Sequence, residues 1–528
     1  MLRYRHFLSR TIRKRNEKTK SKPRRNKAQP CIPQHHPQDY EEVAQDEEYG
    51  DREDYEDENE EEEEEDGFSL KNSAPSDTHG VQPLGNLYLN PGSVNSRNTG
   101  LGNLQNLTDE LVLDILGLLD GTHLGLLATV SKSFYVFTSH EPLWRNLVLD
   151  DFKVGFLFHG SWKSTYIASH YPACFASTCN AGACNKVKVR DFYSDYLFQS
   201  WLCASLEMKP EWLEMDNIVR RRGLSVEEFV SKFEEPNKPV LLEGCMDTWG
   251  ALQKWDREYL LKECGDAKFA AGPVMMRLDE YFRYADQVRE ERPLYLFDPK
   301  FAEKVPSLGS DYEVPVYFRE DLFGVLGKER PDYRWIIIGP AGSGSSFHID
   351  PNSTSAWNAV IKGSKKWVLF PPDVVPPGVH PSPDGSEVAC PVSIIEWFMN
   401  FYSSAKSWQK KPIECVCKAG EVIFVPNGWW HLVINLEESI AITQNYVSRS
   451  NLLNVLDFLE RPNASELVSG TRDRVNLHKK FKDAIEASSP GMIHDLLQKA
   501  EEKKALEQKL SFWDSVIDVN AGAFKFSF

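Results

Sequence analysis

The sequence predicts an all-β body of the double-stranded β-helix, jelly-roll type, with flanking helices, a small all-α domain ahead of it and a disordered, charged N-terminal tail. Three observations carry this. Between residues 216 and 446, short runs of alternating character such as Ala356–Ile361 and Leu432–Ile434 recur between turn signals, as jelly-roll strands do. Between residues 107 and 149 the apolar residues recur at helical spacing instead. The first 66 residues separate into a basic block and then an acidic one, both poor in apolar groups. At 528 residues the chain exceeds what one core usually organises, and 41% apolar residues with 14 Trp supply ample material for burial. No uninterrupted apolar run reaches the roughly 18 residues of a membrane span, so no membrane contact is expected.

Residues 1–30 carry 12 Lys/Arg against Glu17 alone. Two basic clusters around Arg13-Lys14-Arg15 and Arg24-Arg25 read as a nuclear localisation signal or a nucleic-acid contact. A transit peptide is the competing reading; the dense lysines and the acids that follow favour the nucleus. Residues 39–66 hold 19 acids against Arg52, and their self-repulsion opposes folding. A solubilising tail is the simpler reading of this block, a histone-binding patch the sharper one. Residues 67–100, rich in Asn, Gly, Ser and Pro, complete a tail and linker over 1–100.

Residues 101–150 form the helical domain. Thr108 is placed to cap a helix with Leu111, Ile115, Leu118 and Leu119 on one face, and Gly121 is expected to end it. A second short helix carries Leu124, Leu127 and Val130, a third begins after Ser131, and Pro142-Leu143-Trp144 opens a fourth. Residues 151–215, rich in aromatics, read as a connector. Ten Cys without a pairing pattern point to a reducing compartment. Cys174, Cys179 and Cys184 are spaced more widely than usual zinc ligands, so ordinary buried thiols are expected there, with a structural metal as the other reading.

The body spans 216–450. Ser225 with Glu228 makes a capping box, residues 239–242 and 293–298 read as strands, and 277–284 as a helix. Helices are expected over 473–486 and 492–510 within a C-terminal segment, 451–528.

The chemistry concentrates in two stretches. In Phe347-His348-Ile349-Asp350 an imidazole and a carboxylate stand two residues apart, hence on one face if the segment is a strand. His431 follows 81 residues after Asp350, just ahead of the strand-like Leu432–Ile434. Two His and one carboxylate on one face of an octahedral ion leave three positions open, the facial-triad arrangement of non-haem Fe(II) oxygenases. His-x-Asp alone is weak; its surroundings make it specific.

Those surroundings, "GPAGSGSSFHIDPNSTSAWNAVIKGSKKWVLFPP" and "KAGEVIFVPNGWWHLVINLEESIAITQNYV", resemble the two metal-bearing motifs of JmjC-domain dioxygenases, which have a cupin-like fold. Within that family they are most similar to the arginine demethylase/lysyl hydroxylase subgroup, over roughly residues 216–446. The resemblance implies Fe(II) held by His348, Asp350 and His431, with 2-oxoglutarate and O₂ as co-substrates. It implies Lys365 as partner of the 2-oxoglutarate carboxylate, with neighbouring Lys366 the competing choice. Tyr295, Asn358, Thr443 and Ser345 match further co-substrate contacts, Ser345 standing where relatives often have Thr. Trp357, Trp429 and Trp430 offer cation–π walls for a cationic substrate, or simply core. The helical stretch, with Val130-Ser131-Lys132-x-Phe134 and Leu143-Trp144, resembles an F-box, which binds the Skp adaptor of cullin ubiquitin ligases. Thr108 stands where F-boxes usually have Pro.

Together these resemblances imply a nuclear oxygenase acting on histone tails or other nuclear proteins, most similar to plant-type arginine-specific histone demethylases. A protein lysyl hydroxylase is the alternative, and a ligase substrate adaptor using the barrel as a platform is a rival of another class.

Overall fold

A computed structural model describes residues 4–8, 78–89, 92–180 and 187–520. Chain contacts divide the protein into residues 10–74 and the rest, and every described residue belongs to the rest. Apart from residues 4–8, the basic arm and the acidic block lie outside the described residues.

Two sheets face each other, antiparallel except for one parallel pair at the edge of the larger, Arg220–Arg222 with Val240–Glu243. The larger is assembled from β1 (Arg220–Arg222), β2 (Val240–Glu243), β3 (Lys268–Ala271), β4 (Val274–Arg277), β5 (Leu296–Asp298), β6 (Arg334–Gly339), β8 (Ser355–Lys362), β11 (Glu421–Val425) and β13 (Ser439–Tyr446). Its strand order is β1-β2-β11-β8-β13-β6-β5-β3-β4. The smaller comprises β7 (Gly344–His348), β9 (Ser364–Phe370), β10 (Ile413–Lys418) and β12 (Trp430–Asn435), in the order β7-β12-β9-β10. From β7 to β13 the strands alternate between the sheets except at β9 and β10, which pair with each other in the smaller one, and this is the crossing pattern of a jelly roll.

Alternation along each strand sorts its side chains. On β8, Ala356 and Val360 join the cluster between the sheets, together with Trp367, Leu369, Ile423 and Val433. Trp357, Ala359 and Ile361 point the other way, into a core shared with the helices that cover the large sheet. Trp357 stacks there on Phe318 at 5.9 Å. Buried on both faces, β8 reads as nearly continuous apolar text. On the outside of the small sheet, Phe347, Val368, Phe370 and Ile434 pack against Ile394, Trp397 and Phe398 of the helix Ile394–Ser407. That helix lies within residues 371–412, a stretch opened by Pro371-Pro372 and Pro376-Pro377.

The N-terminal helices are α1 (Asp109–Leu116), α2 (Gly121–Leu127), α3 (Lys132–Thr138) and α4 (Glu141–Asp151). Thr108, Asp120 and Ser131 each cap the following helix through the side-chain oxygen. The expected end of α1 at Gly121 is wrong: the helix closes at Gly117, and Gly121 opens α2 behind the Asp120 cap. The face holding Leu111, Ile115 and Leu118 is outward, at 48%, 40% and 85% exposure, whereas Val112, Leu113 and Leu116 fill the core. The capping box at Ser225 and Glu228 is present.

Residues 151–215 contribute more than a tether. The helix Trp162–His170 and Phe156 and Phe158 surround Tyr284 of the helix Leu278–Gln287, so the helical domain and the barrel flank share one core. The expectation of a buried thiol fails at Cys174, which is exposed, and the side chain of Cys179 and all of Cys184 lie outside the described residues.

A buried polar knot ties this junction. Glu290, which follows the helix Leu278–Gln287, accepts from Trp162 Nε1 at 3.0 Å and pairs with Arg145 of α4 at 3.2 Å. Glu141 accepts the Trp162 backbone N–H at 2.5 Å. Burial, with Glu290 nearby, pushes the Glu141 carboxyl from its ordinary 4.5 up to about 7. The folded state therefore binds this proton more tightly than the unfolded chain does. Its contribution to stability is full below about pH 4.5 and is lost as pH rises through 7. In thermal unfolding, the stability of wild type relative to Glu141→Gln should fall steadily from pH 5 to pH 8. A pH-independent difference would contradict this.

Candidate metal centre and co-substrate pocket

His348 is the last residue of β7 and His431 the second of β12, and the two are register partners across the antiparallel pair. Their rings lie 4.1 Å apart between centroids. Each imidazole places Nδ1 on the carbonyl two residues before it: His348 on Ser346 O at 2.8 Å, His431 on Trp429 O at 3.1 Å. A carbonyl only accepts, so Nδ1 carries the proton and Nε2 presents its lone pair outward. Burial, reinforced by His348, holds His431 well below the ordinary imidazole range and hence neutral.

Asp350 is not in the strand, which ends at His348; it lies on the extended exit from β7, before the turn Pro351–Ser353. A register shift between Ser345 and His348 swings this exit towards His431. One donor atom from each of His348, Asp350 and His431 then lies within 4.8 Å of the others. Among the described residues, Asp350 Oδ2 is buried without a hydrogen-bond partner. Burial raises its carboxyl, while His348 and an Asn445 hydrogen bond pull it back. Two outward Nε2 lone pairs and an orphaned carboxylate oxygen fit a divalent cation.

Deeper between the sheets lies a cation with no anion paired to it among the described residues. Lys365 is 0% exposed, and its Nζ donates to Tyr295 Oη at 2.8 Å and Asn435 Oδ1 at 2.9 Å. Burial alone pushes this ammonium down to about 7. Tyr295 is seated against Gly339, where an added Cβ would come within 2.6 Å of its ring. Asn435 Nδ2 donates to Ser343 Oγ at 2.9 Å. Asn358 and Thr443 are register partners on β8 and β13. Thr443 Oγ1 donates to Trp357 O at 2.9 Å, and Asn358 Oδ1 is buried without a partner among the described residues. Such a pocket fits an acid whose carboxylate meets a buried ammonium and hydroxyls.

Lys366 takes the opposite face of β9. Its ammonium pairs with Glu414 at 2.7 Å, both side chains fully buried, and donates to Met215 O at 2.7 Å. Tyr402 Oη completes that group on Glu414 at 3.0 Å. Sequence reasoning missed Asn435 and Ser343. For Asn435 the signal was present, since 431, 433 and 435 share one face of β12. Ser345 faces Val433 ahead of the bulge, and the hydroxyl that joins the Lys365 group is Ser343's. The three tryptophans offered as substrate walls are core: Trp357 outside the large sheet, Trp430 outside the small one, and Trp429 between the sheets with its Nε1 on Asn237 O at 2.9 Å.

With this geometry in place, similarity to known proteins becomes informative. Residues 267–451 match the cupin-like domain family and residues 104–150 the F-box-like family. The chain is 75% identical over 464 residues to the arginine-specific demethylase JMJ22 of Arabidopsis thaliana, covering 88% of this chain and 91% of that protein. The chain belongs to the JmjC-domain oxygenase family. A more distant relative is the bifunctional arginine demethylase and lysyl-hydroxylase psr-1 of Caenorhabditis elegans, 43% identical over 45% of this chain and 63% of that one. The 2-oxoglutarate and iron-dependent oxygenase JMJD4 of Homo sapiens is 30% identical over 45% of this chain and 63% of its own. The JmjC-domain region thus carries both the metal-like triad and the buried Lys365.

The two adjacent lysines should respond oppositely. Lys366→Met strands the buried Glu414 charge and should cost about 3 kcal/mol or more in denaturant unfolding. Lys365→Met removes a desolvated cation and should leave stability unchanged or raise it. Equal losses would contradict the distinction.

Proposed function

We propose that this protein is an Fe(II)- and 2-oxoglutarate-dependent oxygenase that demethylates arginine side chains of proteins, histone tails foremost, in the nucleus. The observation that carries the reading is the convergence of His348, Asp350 and His431 in one barrel with the anion-less Lys365. Similarity to JMJ22 over 91% of its length supports the demethylase assignment.

In this reading His348 and His431 bind through Nε2 and Asp350 through its buried carboxylate, each His held in its tautomer by a backbone carbonyl. Iron so held would supply oxygenase chemistry with O₂ as oxidant: 2-oxoglutarate loses CO₂ and becomes succinate as it takes one oxygen atom, and the other oxygen atom goes to a substrate C–H as hydroxyl. The protein's own work is positional. Lys365 and Tyr295 bind the far carboxylate of the co-substrate, whose charge restores the ammonium that burial disfavours. The inward residues of β8 and β13 wall the acid and exclude water. Hydroxylation of an N-methyl group gives a hemiaminal, which releases formaldehyde and leaves N–H.

A second reading, lysyl hydroxylation, rests on the name of the relative psr-1, which joins both activities. Mass spectrometry of purified protein turning over methyl-arginine and unmodified histone-tail peptides, with Fe(II), ascorbate and 2-oxoglutarate, separates the two. Loss of one methylene from methyl-arginine peptides is expected, and His348→Ala/Asp350→Ala should abolish it. Oxygen gain on unmodified lysine alone would replace the first reading by the second. Undiminished turnover in the double variant would remove the site assignment.

The F-box-like domain is proposed to bind a Skp adaptor through Leu111, Ile115 and Leu118, supported by the outward placement of the first two on α1 and of Leu118 just beyond its end. Leu111→Asp/Ile115→Asp should abolish capture of purified adaptor while peptide turnover persists. Retained capture would refute that face. The basic arm over residues 1–30 is a candidate nucleic-acid contact.

A further inference from the structure

The turn between β7 and β8 places two consecutive non-glycine residues, Asn352 and Ser353, at φ 56° each. Side chains resist this left-handed region, and such a turn persists only where its surroundings hold it. What holds it comes from outside the barrel strands. Asn352, 4% exposed, donates through Nδ2 to Ser469 O at 3.0 Å and accepts at Oδ1 from Ser469 N at 3.0 Å. Asn427 Nδ2 donates to Ser353 O and to Ser353 Oγ, the latter at 2.8 Å.

Asn427 lies four residues before His431, as Asn352 lies two after Asp350. Its other polar atoms are engaged as well. Its backbone N–H donates to Ser355 Oγ at 3.2 Å, its carbonyl accepts from Asn237 Nδ2 at 3.0 Å, and its Oδ1 accepts from Asn454 Nδ2 at 2.9 Å. Asn454 belongs to the helix Leu452–Glu460, whose preceding residue Asn451 also donates to Ser355 Oγ at 3.3 Å. A chain of asparagines therefore runs from the C-terminal segment to both turns that flank the metal-like triad.

We propose that Asn427 and Asn352 are positioning residues of the metal centre, and that residues 451–469 form part of that centre by clamping the Asp350 turn to the His431 turn. The proposal rests on the reading of His348, Asp350 and His431 as metal ligands. Neither asparagine touches the ion; each fixes where a ligand stands. Asp350, beyond the end of β7, has no ladder hydrogen bond of its own to hold it, so the turn that follows sets its place.

The test is Co²⁺ binding to full-length protein, read by the d–d absorption bands, which report both affinity and coordination geometry. Asn352→Gly suits it well, because glycine accepts the turn's backbone without strain while the two Ser469 bonds are lost. Expected are cooperative unfolding with wild-type far-UV dichroism, a Co²⁺ dissociation constant raised about 10-fold or more, and shifted bands. Asn427→Ala should do the same, and Asn352→Asp, which can still accept from Ser469 N, should recover part of the affinity. Wild-type affinity and spectrum in both Asn352→Gly and Asn427→Ala would overturn the clamp. Failure of the wild-type protein itself to bind Co²⁺ would instead overturn the metal reading beneath it. If Asn427→Ala does not fold, Asn352→Gly decides.

Discussion

Strand register is the constraint on which the barrel's chemistry depends. In β9, Lys365, Trp367 and Leu369 face the space between the sheets, opposite Asn435, Val433 and His431 of β12. A slip of one residue would exchange the whole inward set for the outward one. Lys366 would then enter the pocket, and the Glu414 that neutralises it would be left behind. Register is specified because both faces of these strands are buried: apolar clusters outside each sheet and between them all demand the same alignment. The core that looks merely structural is therefore what selects which of two adjacent lysines meets a ligand.

Charge is handled in two ways around that register. Structural charges are neutralised on the spot, as in Lys366–Glu414 or Arg145–Glu290. Charges facing the space between the sheets are not: among the described residues Lys365 meets the neutral oxygens of Tyr295 and Asn435, and Asp350 keeps one oxygen orphaned. Burial works against the charged form of each, lowering the Lys365 ammonium and raising the Asp350 carboxyl. A cation near Asp350 and an anion near Lys365 restore both, so the protein holds in reserve the electrostatics that its ligands complete.

Much of this was legible from residues alone. Alternation marked Ala356–Ile361 as a strand, and the motifs around His348 and His431 carried the triad. Capping chemistry placed Thr108, Ser131 and Ser225 correctly, because a side-chain oxygen bonding the third amide is a local event. What depended on distant partners was not legible. Gly121 suggests a stop until the Asp120 cap is seen beside it, and the choice of buried face on α1 is made by the elements packed against it. His-x-Asp spacing suggests one strand for His348 and Asp350, yet the strand stops at His348 and a turn held by Ser469 carries on. Trp357, Trp429 and Trp430 look available to a substrate only until the layers covering them are known.

The most direct measurement is calorimetric titration of 2-oxoglutarate, without oxygen, into wild-type protein and Lys365→Met, each with and without Mn²⁺ standing in for iron. One site that needs both the metal and Lys365 is the predicted result, since the acid must bridge the triad and the buried ammonium. Equal binding by Lys365→Met, or by wild type stripped of metal, would show that these groups do not form one site.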